Sequence, residues 1–294
     1  NELSLNNNYL KDLKNLIFAL SGQEKLERLH LENNLIDRLD FEFPISLNSL
    51  KNLRLSGNII NFIGKDTFKN MRNIFSLFLN NNNIRIIESE DCFINNLNMK
   101  TLHINNLELE NETNIISITK MINMNFLTIK NSNLKEIPYF KSLISLVLER
   151  NHVSFIKNRS LSLSLKDLNL IKNELTIIQD FYFKDLFQLE ELELNENRIS
   201  FIEPRSFVDC IKLKILKIVR NNIKSLTTDM FIGLKMVRDL NLDENIIKQV
   251  DKNIFKHLPN IRKLSVRYNF IEVISESSLA ELNLIQDIKL SYQR

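Results

Sequence analysis

Four histidines, two cysteines and 36 carboxylate side chains are the groups in this 294-residue chain able to act as metal ligands, nucleophiles or proton carriers. His30 and His103 are the imidazoles to weigh as zinc ligands. Cys92 and Cys210 are the only candidates for thiolate chemistry or a redox pair. Glu191, Glu193, Asp239 and Asp243 offer acid–base or calcium-binding oxygens. Glycine numbers only four, and no Gly-rich phosphate loop is present. Each of these chemistries requires several groups within a few ångström of one another. The elements that carry them therefore decide whether any chemistry is possible.

Those elements repeat. Leu189, Leu192, Leu194, Asn197 and Ile199 follow the pattern L-x-x-L-x-L-x-x-N-x-I, and the pattern returns around Asn221, Asn245 and Asn269 at intervals of 24 residues. Upstream it recurs around Asn8, Asn34, Asn58, Asn82, Asn151 and Asn173, with degenerate copies at Leu107 and Ser132 and a broken one near Gln293. Internal repetition at this period governs the whole fold. In Leu192-Glu193-Leu194 the alternation is that of a strand with both leucines inward and the glutamate outward. One such strand cannot bury its apolar face alone, so the copies are expected to stack as a parallel sheet about 4.8 Å apart. The bulkier return segment places that sheet on the inside of a curve. The Asn side chain, both donor and acceptor, is suited to satisfy backbone groups where the chain leaves the strand. Ten residues after the Asn lies a second column, occupied by Phe18, Phe68, Phe183, Phe207, Phe231 and Phe255, with Cys92 at the same place in its repeat.

This pattern resembles the leucine-rich-repeat family, whose members are α/β-type repeat solenoids: horseshoes with a parallel β-sheet on the concave face and an irregular or short-helical convex side. The resemblance covers essentially all of residues 1–294, as one domain of about twelve repeats and a partial one. The repeats around 99–150 are irregular: the step from Ser132 to Asn151 is short and contains Pro138. The 24-residue period and the phenylalanine column look most like Toll-type and chaoptin-like ectodomains of animals. That likeness implies a recognition module of an extracellular receptor or adhesion protein, partnered by a protein ligand or a second copy. The cysteine-rich caps of such relatives are missing at both ends, which reads as an excised piece. The competing class is an intracellular scaffold or enzyme-inhibitory solenoid, cytoplasmic in location.

Laid onto stacked strands, the candidate chemistry disperses. His30 and His103 fall three repeats apart, about 14 Å, too far to share a metal. Cys92 and Cys210 fall five repeats apart, about 24 Å, too far for a disulfide, and read as buried apolar residues. Glu193 should lie beside Lys217, and Glu196 beside Arg220, itself beside Glu244, so the carboxylates read as charge compensation across strands. No nucleophile, base and acid converge, and neither an enzyme, a cofactor nor a small-molecule substrate is expected. A net charge of +3 carries no basic excess of the kind nucleic acids attract. No apolar run is long enough to span a bilayer, so membrane attachment would need a segment outside this chain. The abundance of Lys, Ile and Asn is compatible with an A/T-rich gene. Sequons at Asn111 and Asn158 mark possible glycosylation. On the sheet face, Phe78, His103, Phe126, Thr128 and Val147 are expected to point outward from four successive repeats as a patch with aromatic anchors. Lys214, Arg238 and Arg262, with Arg267 nearby, form a basic stripe along one rim, suited to an acidic partner.

Overall fold

The computed structural model describes residues 1–108 and 112–293. The chain forms two compact units, Asn1–Asn133 with Phe140–Leu143, and Leu134–Tyr139 with Ile144–Arg294. In the first unit the strands Glu2–Ser4, Arg28–His30, Asn52–Arg54, Ser76–Leu79, Thr101–Asn105 and Phe126–Lys130 pair in parallel, each with its successor. In the second, Ser145–Val147, Asp167–Asn169, Glu191–Glu193, Ile215–Lys217, Asp239–Asn241, Lys263–Ser265 and Asp287–Lys289 do the same. Each unit is thus a parallel-stranded solenoid. A three-residue strand has only one inward position, and the repeat fills it with leucine: Leu29, Leu53, Leu77, Leu192, Leu216 and Leu240 are all fully buried.

The return side of each turn is built mainly from bends and two-residue extended ladders, such as Arg38–Leu39, Phe62–Ile63 and Ile86–Ile87. Helix enters at Leu13–Ala19 and Glu112–Thr119, with 3-10 turns at Ile45–Leu47 and Thr228–Phe231. The first helix corrects one expectation. Asp12 caps it, its Oδ1 accepting from the Asn15 amide at 3.1 Å. Helical spacing then turns Leu13 and Ile17 inward together and Phe18 outward, where it is 51% exposed. Phe18 is therefore no part of the aromatic column. Cys92 is not part of it either. Phe93 stacks on Phe68 at 5.2 Å, Phe43 stacks on Phe68 at 6.3 Å, and Cys92 lies buried beside the column. In the second unit Phe183 stacks on Phe207 at 5.6 Å and Phe231 on Phe255 at 6.2 Å.

The asparagines clamp one turn to the next. Asn221 is 5% exposed; its Nδ2 donates to the Leu194 carbonyl at 3.0 Å and its Oδ1 accepts from the Ile199 amide at 2.9 Å, both on the preceding turn. The same bonds recur at Asn58, Asn197, Asn245 and Asn269. Asn34, Asn82, Asn151 and Asn173 are likewise buried and accept from the preceding turn. Asn8, in the first turn, is exposed and among the described residues bonds only locally, to Leu5 and Asn6. Ser132 accepts from the Leu107 amide in place of an Asn, and Gln293 reproduces the full clamp with its longer amide. Leu107 is simply buried.

Candidate partner-binding surface

In the first unit, residues one position either side of the buried leucine face away from the core. Strand register aligns His30, Arg54, Phe78, His103 and Thr128 as one column across the sheet face. Within it, the Phe78 and His103 rings stack at 5.0 Å and 8°, and the Arg54 guanidinium lies 5.1 Å from the Phe78 ring centre. A cation over an aromatic face is attracted by the ring quadrupole. Burial, with a smaller contribution from the Lys130 charge, holds the His103 imidazole below its ordinary pKa, which favours the neutral ring in this stack. His30 and His103 stand three strands apart in register.

The sequence-predicted contact residues do not all present surface. Phe126 is 43% exposed, whereas Phe78 and His103 are half-buried against each other. Thr128, 8% exposed, offers almost nothing to a partner although it stands beside His103 in register. Val147 is half-buried and belongs to the second unit. Sequence reasoning passed over Phe75, Lys100 and Arg54. Phe75 is 50% exposed and immediately precedes its strand, so counting outward positions only between the leucines omits it.

Across the second unit, opposite charges on neighbouring turns neutralise one another. Lys217 meets Glu193 at 2.5 Å, Arg220 meets Glu244 at 2.8 Å, and Glu196 pairs back to Lys172 at 3.3 Å. The carboxylate of Asp243, 4% exposed, accepts from Ser265 Oγ at 2.6 Å, the Arg267 amide at 2.7 Å and the Arg267 guanidinium at 2.8 and 3.0 Å. Arg267, half-buried, is therefore engaged by Asp243 rather than free along the basic stripe. Lys214 is likewise held by Glu190 at 2.5 Å, a bond that is also the largest cause lowering the Glu190 pKa. Arg238 and Arg262 stay exposed on consecutive turns, with no ion pair among the described residues.

Among the described residues no three His, Cys, Asp or Glu side chains gather as a metal site, and no helix is long and apolar enough to cross a membrane. Both cysteines are free and buried; burial pushes the Cys92 thiol up to about 12 and the Cys210 thiol higher still, which suppresses the reactive thiolate. Asn158 lies exposed in a turn. Asn111 lies outside the described residues.

With this geometry in hand, comparison with known proteins is informative. The leucine rich repeat family profile matches residues 48–109, 163–223, 187–247 and 236–294, together well over half of the chain. No curated protein matches by sequence. Among solved structures, the leucine-rich repeat domain of APL1B superposes with a TM-score of 0.79 at 17% identity, covering 99% of this chain and 82% of that one. A leucine-rich-repeat protein of Leptospira interrogans gives 0.75 at 22% identity, covering 99% and 78%. Toll in the Drosophila Toll–Spatzle complex gives 0.74 at 17% identity, covering 93% of this chain and 40% of that one. At these identities the likeness is one of fold.

Proposed function

This chain belongs to the leucine-rich repeat family, and from that premise we propose that it is a non-enzymatic protein-recognition domain of an extracellular receptor or adhesion protein. It binds a protein ligand or a second copy of itself through the sheet face of the first unit. The observation that carries this reading is the set of aromatics on that face: exposed Phe126 two columns' width from the stacked Phe78 and His103. Large aromatics at a surface supply most of the energy of protein interfaces when a partner desolvates them. A face preformed by backbone hydrogen bonds loses little ordering entropy on binding. The likeness to Toll, solved in complex with Spatzle, and to FLRT2, solved in a complex with latrophilin 3 and Unc5D, supports a protein as the partner. Arg238 and Arg262 in the second unit provide a subsidiary contact for acidic groups, and Asn158 a site for a glycan away from the sheet face.

The test is a binding screen of the intact chain against secreted and cell-surface proteins of its source, repeated with Phe78→Ser plus Phe126→Ser. The double variant is expected to lose the partner while its melting temperature stays near that of the parent, apart from the stacking energy of Phe78, about 0.5–1.5 kcal/mol. A partner bound equally by both would remove the first-unit face from the interface.

A further inference from the structure

Beside the aromatic cluster, still within the first unit, lies an open groove of about 630 Å³ whose walls include Glu27, Arg28, Lys51, Phe75 and Lys100. The backbone sets these residues in order. The Lys51 amide donates to the Glu27 carbonyl at 2.9 Å, Phe75 to Lys51 at 2.8 Å, Lys100 to Phe75 at 2.9 Å and Phe126 to Lys100 at 2.9 Å. Consecutive rungs therefore read carboxylate, ammonium, phenyl, ammonium, at about the spacing of parallel strands, 4.8 Å; Asn125 takes the next rung, with Phe126 one residue further along its strand, in register with Thr101. The charges along this line are unevenly matched. Lys51 has its counter-ion in Glu27 at 3.0 Å, and Arg28 has Glu2 at 3.1 Å. Lys100 has no ion pair among the described residues; Phe75, 50% exposed, stands beside it in the line, and Phe126, 43% exposed, stands diagonally from it on the next strand. On the rim of the second unit Lys214 meets Glu190 one turn away, whereas Arg238 and Arg262 have no ion pair among the described residues. Lys100 is unpaired as those two arginines are, but it alone of the three stands beside two exposed phenylalanines, Phe75 and Phe126.

We propose that this groove takes an extended peptide segment of the partner bearing a carboxylate side chain with an apolar side chain two residues before and after it. In an extended chain, residues two apart point to the same side, about 6.6–6.8 Å from each other. That repeat lies within reach of a flexible lysine flanked by two phenyl rings. The carboxylate meets the Lys100 ammonium, while the apolar side chains cover Phe75 and Phe126. The surplus of cations, three in the groove wall against one carboxylate, selects an acidic over a basic segment. This inference rests on the first-unit face being the binding surface, and it names the chemistry that surface selects.

The test is selection of a random twelve-residue peptide library displayed on phage against the intact chain, followed by titration of the enriched peptides. The expected consensus is an Asp or Glu flanked at two residues' distance by Leu, Ile, Phe or Met. Lys100→Glu is expected to replace that acidic position by Lys or Arg, and Phe75→Ser to weaken the original peptides about tenfold, with unchanged melting curves. Three outcomes overturn the proposal: enriched peptides without a carboxylate, the same acidic peptides selected by Lys100→Glu, or no peptide consensus while a heparin oligosaccharide binds. Acidic peptides that survive Lys100→Glu but are lost with Phe78→Ser plus Phe126→Ser discard the groove and keep the face. Peptides indifferent to every one of these changes discard both.

Discussion

At the scale of the residue, one backbone conformation recurs where the chain turns away from each strand. The position just before the ninth residue of the repeat has a left-handed φ, whether or not a clamp Asn follows: 57° at Asn7, 57° at Asn33, 55° at Asn81, 56° at Asn106 and 51° at Asn131. Asn tolerates this region better than other side-chain-bearing residues, and Gly57 fills it at 71°. The same turn continues with Glu196 at 55° and Arg220 at 55°, so in the second unit the flanking ladder and core hold the conformation without a favourable residue. The clamp itself was readable from the nine-residue spacing, because a short amide carries its donor and its acceptor on two separate atoms and can bridge two backbone groups at once. What was not readable is that Ser132 and Gln293 stand in for it, since their hydroxyl and longer amide become interpretable only when their partners are known. Asn221→Ala strands the Leu194 carbonyl and the Ile199 amide in a dry interior. It is expected to cost about 1–3 kcal/mol, read as a lower melting temperature with unchanged circular dichroism at 20 °C or so. An unaltered melt would show that water replaces the amide.

At the scale of the element, the strands were legible and the return segments were not. Alternation around a leucine identifies a strand from three residues, whereas the return side packs by column, and a one-residue slip changes which side chain enters the core. The turn containing Phe93 illustrates this: it lies 25 residues beyond Phe68, so a strict ten-residue offset from Asn82 selects Cys92 instead. At Leu13–Ala19 a helix replaces the bends, and its periodicity expels Phe18. One return segment depends on a single missing side chain. Gly233 has φ +98°, and a Cβ there would stand 2.1 Å from the Phe207 carbonyl oxygen and 2.7 Å from Val208 Cα, both backbone atoms of the preceding turn. Gly233→Ala is expected to destabilise by about 2–4 kcal/mol, through strain and displacement of the Phe207–Phe231 region together. Urea titration followed by far-ultraviolet dichroism measures it; an unshifted midpoint would mean that the arc yields freely. The candidate site was partly legible for the same reason: Phe78 and Phe126 lie on strands, while Phe75 lies just before one.

At the scale of the whole molecule, each unit holds its surface by contacts between successive turns and leaves the chemistry of the cysteines locked away. Cys92 is 2% and Cys210 0% exposed, one in each unit. A thiol-specific chromogenic reagent at mildly alkaline pH is expected to find no reactive thiol in the folded chain and two after denaturation, with modification following the unfolding rate. Early labelling of one cysteine alone would reveal that its unit opens first. Dispersal of the histidines and carboxylates was foreseeable, because a repeat that advances one strand at a time separates residues in proportion to their distance along the chain. The Asn clamps carry one more consequence. Every amide that bolts a turn to its predecessor also lies across the seam that tension along the stack would have to part. Under load such a seam gives way coil by coil, each rupture releasing some two dozen residues of slack, so that either unit would behave as a ratcheted spring, paying out length in steps while the coils still closed keep their grip.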